Sequence, residues 1–171
     1  DYEWGHSTVE LLDEILGKSK PEAELIDKFW PPLKEADFSS YITATLNKKP
    51  DVVIGIIAGS AYQTFIRQAN GYDFFNRVTF VSNGFEGDVM VLGKEFPEGM
   101  RMYSRGAFYA IEGPRMDKFS ADYKEIMGKD PTCWSVLSYD AMMTLKQAIE
   151  AADSFDRDAV ARALEKHLEF H

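Results

Sequence analysis

Residues 50–69 read PDVVIGIIAGSAYQTFIRQA, and this stretch decides the fold. Its first part, residues 52–58, is almost continuously apolar, which is typical of a parallel strand that is covered on both faces. Ser60 follows as a candidate N-cap, because its hydroxyl can accept a hydrogen bond from the first turn of a helix. The predicted helix carries one apolar stripe, which consists of Tyr62, Phe65, Ile66 and Ala69. A buried strand followed by an amphipathic helix is the building unit of an α/β protein.

The N-terminal side of this stretch is predicted to add a helix and a strand. Residues 1–5 are expected to form a turn, and the apolar residues at positions 9–16 then recur at helical spacing until Gly17 ends the helix. Residues 23–30 are rich in apolar side chains and are followed by Pro31-Pro32. This composition favours a strand that stops at the prolines.

The C-terminal side continues the alternation of strands and helices. Residues 78–81 and 100–104 are predicted strands, with a short helix at residues 89–92 between them. Strands and helices that alternate at this spacing form right-handed crossovers. We therefore expect an α/β fold with an open parallel sheet and flanking helices.

The pattern changes near residues 106–114, after which only helices are predicted. The expected organisation is an α/β domain at residues 1–108, followed by an all-helical segment at residues 109–171. Cys133, the single cysteine, lies in an apolar helical pattern and is expected to be a small buried hydrophobic residue.

The composition excludes two classes of protein. The formal net charge is −9, and the Lys and Arg residues are scattered among acids, so a nucleic acid is not an expected partner. No apolar stretch approaches the roughly 20 residues of a membrane-spanning helix. The chain does not open with a basic segment followed by an apolar one, so no secretory signal is seen. The residues themselves therefore do not predict where in the cell the protein acts.

Candidate binding residues come from the loops that follow predicted strands, since ligands of open parallel sheets bind at the carboxyl ends of the strands. These loops are residues 1–7, 58–62 and 82–87. They contain the predicted ligand-binding residues, which are Trp4, Ala58, Gly59, Ser60, Asn83, Phe85 and Glu86.

Several of these residues have both a functional and a structural interpretation. Trp4 is either an aromatic face for a solute or a plug against the first helix. Gly59 and Ser60 either present backbone N–H groups to an anionic group such as a carboxylate, or form an ordinary helix cap. Asn83 and Phe85 are expected to form a polar and aromatic wall. Glu86 either pairs with a ligand ammonium or is an acid favoured by the dipole of its own helix.

No catalytic constellation is visible. The chain has no GxSxG elbow, no P-loop and no GxGxxG motif. His167 and His171 are four residues apart and could hold a metal on one helical face. They lie at the end of the chain, where helices tend to fray, so ordinary histidines without a metal are expected there. We therefore expect no enzyme activity, no metal and no cofactor.

Several short motifs together resemble a known family. They are DYEWGHS at residues 1–7, FWPPL at 29–33, ADFSSYITATL at 36–46, KPDVV at 49–53, IRQA at 66–69, PEGM at 97–100, DPT and WS at 130–135, YDA at 139–141 and AIEAA at 148–152. In this order they resemble type I periplasmic solute-binding proteins of the branched-chain amino-acid ABC transporter family.

The resemblance implies a fold and a function. Such proteins clamp a small solute between two α/β lobes joined by a hinge, and an aromatic residue is usual at the position of Trp4. The first 108 residues resemble the second lobe, and the later helices resemble the stretch that crosses back to the first lobe, so a fragment is expected. The implied solute is an amino acid or a related carboxylate, the implied partner is a membrane permease, and the implied location is periplasmic or extracellular. The alternative function is the ligand-sensing domain of a signalling receptor or regulator.

The same comparison predicts self-association. In the pattern that the chain resembles, a strand lies between the one near residues 24–30 and the one near residues 51–58, and this chain has no counterpart of it. Unpaired strand edges readily pair with another chain. A homo-oligomer is therefore expected for the fragment, and the apolar stripes of the helices after Gly113 add to that expectation.

Overall fold

The computed structural model describes residues 2–166 and consists of two compact units, Asp1–Tyr103 and Ser104–His171. The first unit contains five helices, a 3₁₀ turn and three short strands, which are α1 (Glu3–Ser19), α2 (Ser39–Lys48), β1 (Val52–Gly55), α3 (Ser60–Gly71), α4 (Phe74–Arg77), β2 (Thr79–Ser82), α5 (Glu86–Leu92), the turn at Gly93–Glu95 and β3 (Arg101–Met102). The second unit contains α6 (Pro114–Met127), α7 (Cys133–Ala152) and α8 (Arg157–Leu164).

The sheet of the first unit is parallel, with the strands in the order β1-β2-β3. Val53 lies opposite Phe80, and Ser82 lies opposite Met102. The helices between these strands supply the crossovers that parallel pairing requires. The predicted open parallel α/β sheet with flanking helices is confirmed, and so is the helical segment that follows it.

The core of the first unit lies between α3 and the sheet. The predicted stripe of α3 is confirmed, because all of its members are buried. Phe65 packs at the centre, with ring centroids 5.5 Å from Phe38, 5.6 Å from Phe74 and 5.3 Å from Phe80. A Cβ on Gly55 would lie 2.4 Å from the Phe80 ring, so glycine at this position leaves the space that the ring occupies.

The prediction that residues 52–58 are covered on both faces is wrong. The strand ends at Gly55, and the side chains of Val52 and Ile54 are 51% and 42% exposed. Val53 points to the other face and packs against the core. β1 is also the outer strand of the sheet, so one of its edges has no neighbouring strand among residues 2–166, and the face that carries Val52 and Ile54 is only half covered.

The predicted strand at residues 23–30 is also wrong. No strand of the described chain forms hydrogen bonds with this segment, so its backbone stays irregular although its composition suits a strand. Side chains hold it instead, since Trp30 stacks on His6 with ring centroids 4.0 Å apart and Lys28 Nζ lies 3.0 Å from Asp13 Oδ2. β-propensity acts only where a neighbouring strand is present to pair with.

The start of the chain differs from the expectation as well. The predicted turn at residues 1–5 is wrong, because α1 begins at Glu3, and Gly17 lies inside this helix instead of ending it. The helix ends two residues later, where the N–H of Lys20 donates to the carbonyl of Leu16 at 2.8 Å.

The second unit is a set of helices with a small core. Ala148 of α7 packs with Val160 and Ala163 of α8, and the carboxylate of Asp156 caps α8 by accepting the N–H groups of Asp158 and Ala159 at 3.1 and 2.9 Å. Cys133 is buried, as predicted. No helix within residues 2–166 is long and apolar enough to cross a membrane.

Candidate functional site

The carboxyl ends of β1 and β2 lie together at one end of the sheet, because the two strands are parallel and in register. We call this end the carboxyl edge and the opposite end the amino edge. Residues 56–59 lead from β1 into α3, and residues 83–85 lead from β2 into α5. Six of the seven predicted site residues lie on these two loops or on the first residue of the helix that follows. The fold thus brings together Ala58, Gly59, Ser60, Asn83, Phe85 and Glu86 at the edge where ligands of such sheets bind.

Asn83 joins the two loops. Its Oδ1 accepts the N–H of Ile57 at 3.1 Å, and its Nδ2 donates to the carbonyl of Ile57 at 3.2 Å. The side chain is 1% exposed, so these bonds form away from bulk water. A two-bond contact of this kind sets the separation of the loops, and we assign Asn83 a positioning role at the site.

Gly59 shapes the entry into α3. Its φ of +63° and ψ of −145° belong to a region that residues with a Cβ rarely adopt. The predicted N-cap role of Ser60 is wrong, because Gly59 occupies the N-cap position and α3 begins with Ser60, whose side chain makes no capping bond. No atom lies within 4 Å of where a Gly59 Cβ would be, so the space beside the N-terminus of α3 is open.

Asp88 ties the start of α5 to α3. Its Oδ2 accepts the N–H of Phe85 at 3.3 Å, and its Oδ1 accepts from Nε2 of Gln63 at 3.0 Å. Phe85 is the N-cap residue of α5 and is partly buried, whereas Glu86 opens the helix and is 7% exposed. An acidic residue suits the first turn of α5, because the N-terminal end of a helix carries a partial positive charge.

A buried hydroxyl pair lies beneath the same edge. The hydroxyl of Tyr62 lies 2.7 Å from Ser82 Oγ, and that oxygen accepts the N–H of Gly84 at 3.3 Å. Burial raises the pKa of Tyr62 to about 12. The sequence assigned Tyr62 only to the apolar stripe, and its hydroxyl gave no signal of this role because the partner lies 20 positions away.

Two methionine sulfurs complete this cluster. Tyr62 donates to Met100 Sδ at 3.2 Å and lies 4.0 Å from Met102 Sδ. A Cβ on Gly84 would lie 2.4 Å from Met102 Sδ and 2.6 Å from the Tyr62 hydroxyl, so the loop at residues 83–85 has no spare volume on this side. The methionine–hydroxyl cluster, defined as Tyr62, Ser82, Met100 and Met102, therefore supports the loop from below.

Trp4 lies on the first turn of α1 and not on a loop. Its ring meets the ring of Tyr2 edge to face at 6.0 Å, and its carbonyl accepts the hydroxyl of Thr8 at 2.6 Å. Burial and the nearby Tyr103 raise the pKa of Tyr2, and Tyr103 directly follows β3. Tyr2, just before α1, and Tyr103, just after β3, are thus close enough to interact electrostatically. No hydrogen bond or ring contact within residues 2–166 joins Trp4 to the loops that follow β1 and β2.

A groove of about 430 Å³ lies elsewhere on the first unit, at the opposite edge of the sheet. Residues at the amino ends of β1 and β2 line it, including Lys49, Asp51 and Arg77. It shares no residue with the two loops. In the described part of the chain no three His, Cys, Asp or Glu residues are grouped to hold a metal ion, and His167 and His171 lie outside that part.

Comparison with known proteins gives a family and several similar structures. The model of a family described as "Periplasmic binding protein" matches residues 1–170. An amino acid ABC transporter substrate-binding protein from Pseudomonas fluorescens Pf-5 is 22% identical with a TM-score of 0.81, and the match covers 95% of this chain and 43% of that one. The leucine binding protein LivK from Thermotoga maritima MSB8 is 25% identical with a TM-score of 0.75, over 92% of this chain and 45% of that one.

A third similar structure contains a bound ligand. It is a solute binding protein of an ABC transporter from Rhodopseudomonas palustris BisB5 in complex with 3,4-dihydroxybenzoic acid, 21% identical with a TM-score of 0.76, over 95% of this chain and 45% of that one. The chain thus spans less than half the length of each of these three solved structures. No curated protein sequence matches the chain.

The first prediction concerns Asn83. In Asn83→Ala both backbone groups of Ile57 lose their partner, so we expect the free energy of unfolding to fall by about 1–3 kcal/mol. Hydrogen exchange at the Ile57 amide should also accelerate. The control is Asn76→Ala, because Asn76 is exposed and its amide contacts only the Asp73 carboxylate. Urea unfolding measures both variants, and equal losses would contradict the positioning role.

The second prediction concerns pH. Tyr62 keeps its proton up to a pKa of about 12 in the folded protein, whereas an unfolded tyrosine loses it near pH ~10. The protonated Tyr62 therefore contributes to the free energy of unfolding, by about 2–3 kcal/mol at most. This contribution is fully present below pH ~10 and is lost as the pH rises towards 12.

Tyr62→Phe should remove this part of the pH dependence, so its stability difference from the wild type should shrink between pH 10 and 11.5. Urea unfolding followed by tryptophan fluorescence measures it. Tyr72→Phe, at a tyrosine that is 40% exposed, is the control and should retain the decline of the wild type. A parallel decline in Tyr62→Phe would refute the assignment.

Proposed function

Because the chain belongs to the periplasmic binding protein family, we propose that it is part of the solute-binding component of an ABC importer of the branched-chain amino-acid class. The similar structures from Pseudomonas and Thermotoga support this class, since their descriptions name an amino acid transporter and a leucine binding protein. In the whole protein a second lobe would close over the solute, and the closed form would engage a membrane permease. The proposed location is periplasmic or extracellular.

The observation that carries the proposal is the pair of loops at the carboxyl edge, held at a set distance by Asn83 and open beside Gly59. The N-terminal turn of α3 leaves backbone N–H groups available there, since the first N–H groups of a helix have no partner within it. These groups and the positive end of the helix dipole favour an anion.

We propose that the solute carries a carboxylate, which the backbone at Ala58, Gly59 and Ser60 receives. Leucine and 3,4-dihydroxybenzoic acid, named in the descriptions of two similar proteins, both carry that group. Phe85 supplies an apolar wall on the facing loop. We propose that Glu86 receives an ammonium group of an amino-acid solute, because its carboxyl-bearing side chain opens α5 on the facing loop.

Trp4 and the hinge complete the proposal. Trp4 offers a large aromatic face, and we propose that it forms one wall of the cleft. The solute would shift an equilibrium between open and closed lobes by binding both lobes at once. Binding of this kind needs no covalent chemistry, and we propose no enzymatic step for the chain.

The third prediction tests solute binding by the chain itself. Titration of the ¹⁵N-labelled protein with L-leucine or 3,4-dihydroxybenzoate should shift amide signals of residues 57–61 and 83–88. The dissociation constant should be no tighter than about 1 mM, or about −4 kcal/mol, because the chain spans less than half of the similar proteins.

A pair of glycine variants provides the control. Gly59→Ala strains the loop at its φ of +63° and should abolish the shifts. Gly99→Ala imposes a comparable strain at a φ of +75°, but in the turn before β3 at the amino edge of the sheet, and should preserve them. Shifts confined to the groove around Lys49 and Arg77 would count against the proposed site, and micromolar binding would contradict the predicted limit on affinity.

We also propose that the chain self-associates through β1. The strand has a free edge, and Val52 and Ile54 on its uncovered face are about half exposed. A second copy can pair with that edge and cover that face together. A two-fold arrangement of this kind needs only one self-complementary surface.

The fourth prediction tests this association. Light scattering at micromolar concentration should give the mass of a dimer or a larger oligomer for the wild type. Ile54→Lys places a charge on the uncovered face and should shift the mass to that of the monomer. Thr43→Lys is the control, since Thr43 is exposed on α2 and belongs to no strand of the sheet. A monomeric wild type would refute the proposal.

A further inference from the structure

The methionine–hydroxyl cluster has a chemical property that binding at the two loops does not use. Met100 and Met102 place two thioether sulfurs within 3.2 and 4.0 Å of the Tyr62 hydroxyl, and Ser82 Oγ lies 3.7 Å from Met100 Sδ. A thioether sulfur is a weak hydrogen-bond acceptor and is readily oxidised. The two residues are partly buried, whereas Tyr62 and Ser82 are almost fully buried.

The packing around the cluster leaves no room for an additional atom. Met102 Sδ lies where even a single carbon on Gly84 would be only 2.4 Å away. Gly84 lies between Asn83 and Phe85, so a displaced Gly84 moves both loop residues. Interiors packed to this density respond to one added atom by shifting the backbone or the side chain.

We propose that Met100 and Met102 form an oxidation site that controls the loop at residues 83–85. Conversion of the thioethers to sulfoxides displaces this loop and lowers the affinity of the site for its solute. The effect on affinity rests on the proposed function, whereas the effect on the loop does not.

The reaction uses a peroxide as the oxidant. A lone pair of the methionine sulfur attacks one peroxide oxygen, the O–O bond breaks, and an S=O bond forms. The sulfur loses two electrons and the peroxide gains them. With hydrogen peroxide, the proton of the transferred oxygen passes to the departing oxygen, which leaves as water.

The product changes the hydrogen bonds of the cluster. A sulfoxide oxygen is a stronger acceptor than a thioether sulfur and extends one bond beyond it, so the Tyr62 hydroxyl, which donates to Met100 Sδ, must shift to make room for it. Ser82 Oγ lies 2.7 Å from that hydroxyl and accepts the N–H of Gly84, so it must rearrange as well. An oxygen added to Met102 Sδ has no free volume beside Gly84, so it also displaces the loop at residues 83–85.

The experiment treats the full chain with hydrogen peroxide. Peptide mapping by mass spectrometry measures sulfoxide at each of the seven methionines, and hydrogen exchange measures the peptides that span residues 83–85. We expect the exchange rate of these peptides to rise with the sulfoxide content at Met100 and Met102, by about tenfold when both are fully oxidised. Sulfoxide at Met90, which is 51% exposed on the neighbouring helix α5, should have no such effect.

Two variants separate the cluster from general oxidation. The double variant Met100→Leu and Met102→Leu conserves volume and cannot be oxidised at these positions, so its loop should keep its exchange rate after peroxide. Met90→Leu should respond as the wild type does. If the double variant does not fold, partially oxidised wild type gives the same test, because exchange can be compared with sulfoxide content at each methionine.

Three outcomes overturn the proposal. They are a loop whose exchange is unchanged while Met100 and Met102 carry sulfoxide, an equal response in the double variant, and no sulfoxide at either residue while Met90 is fully oxidised. Titration with L-leucine before and after peroxide distinguishes the two proposals. A loop that moves without any change in leucine binding contradicts the proposed binding site and leaves the oxidation site standing.

Discussion

The packing of α3 against the parallel strands is the interaction on which the rest of the first unit depends. Phe65 of α3 contacts the aromatic rings of Phe38 just before α2, Phe74 of α4 and Phe80 of β2, so it joins four parts of the unit at one point. Ile66 and Ala69 on the same face are fully excluded from water. Burial of this apolar surface is the main source of stability in such a unit. It also fixes where the N-terminus of α3 points.

The candidate site depends on that packing through a small number of polar contacts. Tyr62 lies on the inward face of α3, one turn from Phe65, and its hydroxyl reaches Ser82 at the end of β2. Asn83, the next residue, holds the backbone of Ile57 beyond the end of β1. The loops are thus positioned by buried groups, and each group has its partner within the unit. Rigid support of this kind lets a loop keep a binding geometry while its outer surface stays open.

Apolar surface is left exposed in both units. In the first unit, Val52 and Ile54 of β1 and several side chains of residues 25–33 are in contact with water. In the second unit, α6 has no buried residue, and Ile126 is 80% exposed. Surfaces of this kind usually mark places where another chain or another part of a protein packs. The chain spans less than half the length of the solved structures it resembles, and these faces are consistent with that fact.

The sequence by itself determined the parallel α/β class, the inward stripe of α3 and the burial of Cys133, and it predicted the loops that we propose for ligand binding. These features follow from local periodicity and from the rule that parallel strands end at one edge, and neither requires knowledge of distant partners. The short motifs also identified the family correctly.

Only the tertiary structure decided which residues hold the site together. Residues 23–30 have the composition of a strand but lack a neighbouring strand, and β1 is apolar on both faces although one face is uncovered. Gly59 took the N-cap position from Ser60 because the loop requires a positive φ there. The partners of Asn83 and Tyr62 are 26 and 20 positions away, so their roles arise from contacts that local sequence does not encode.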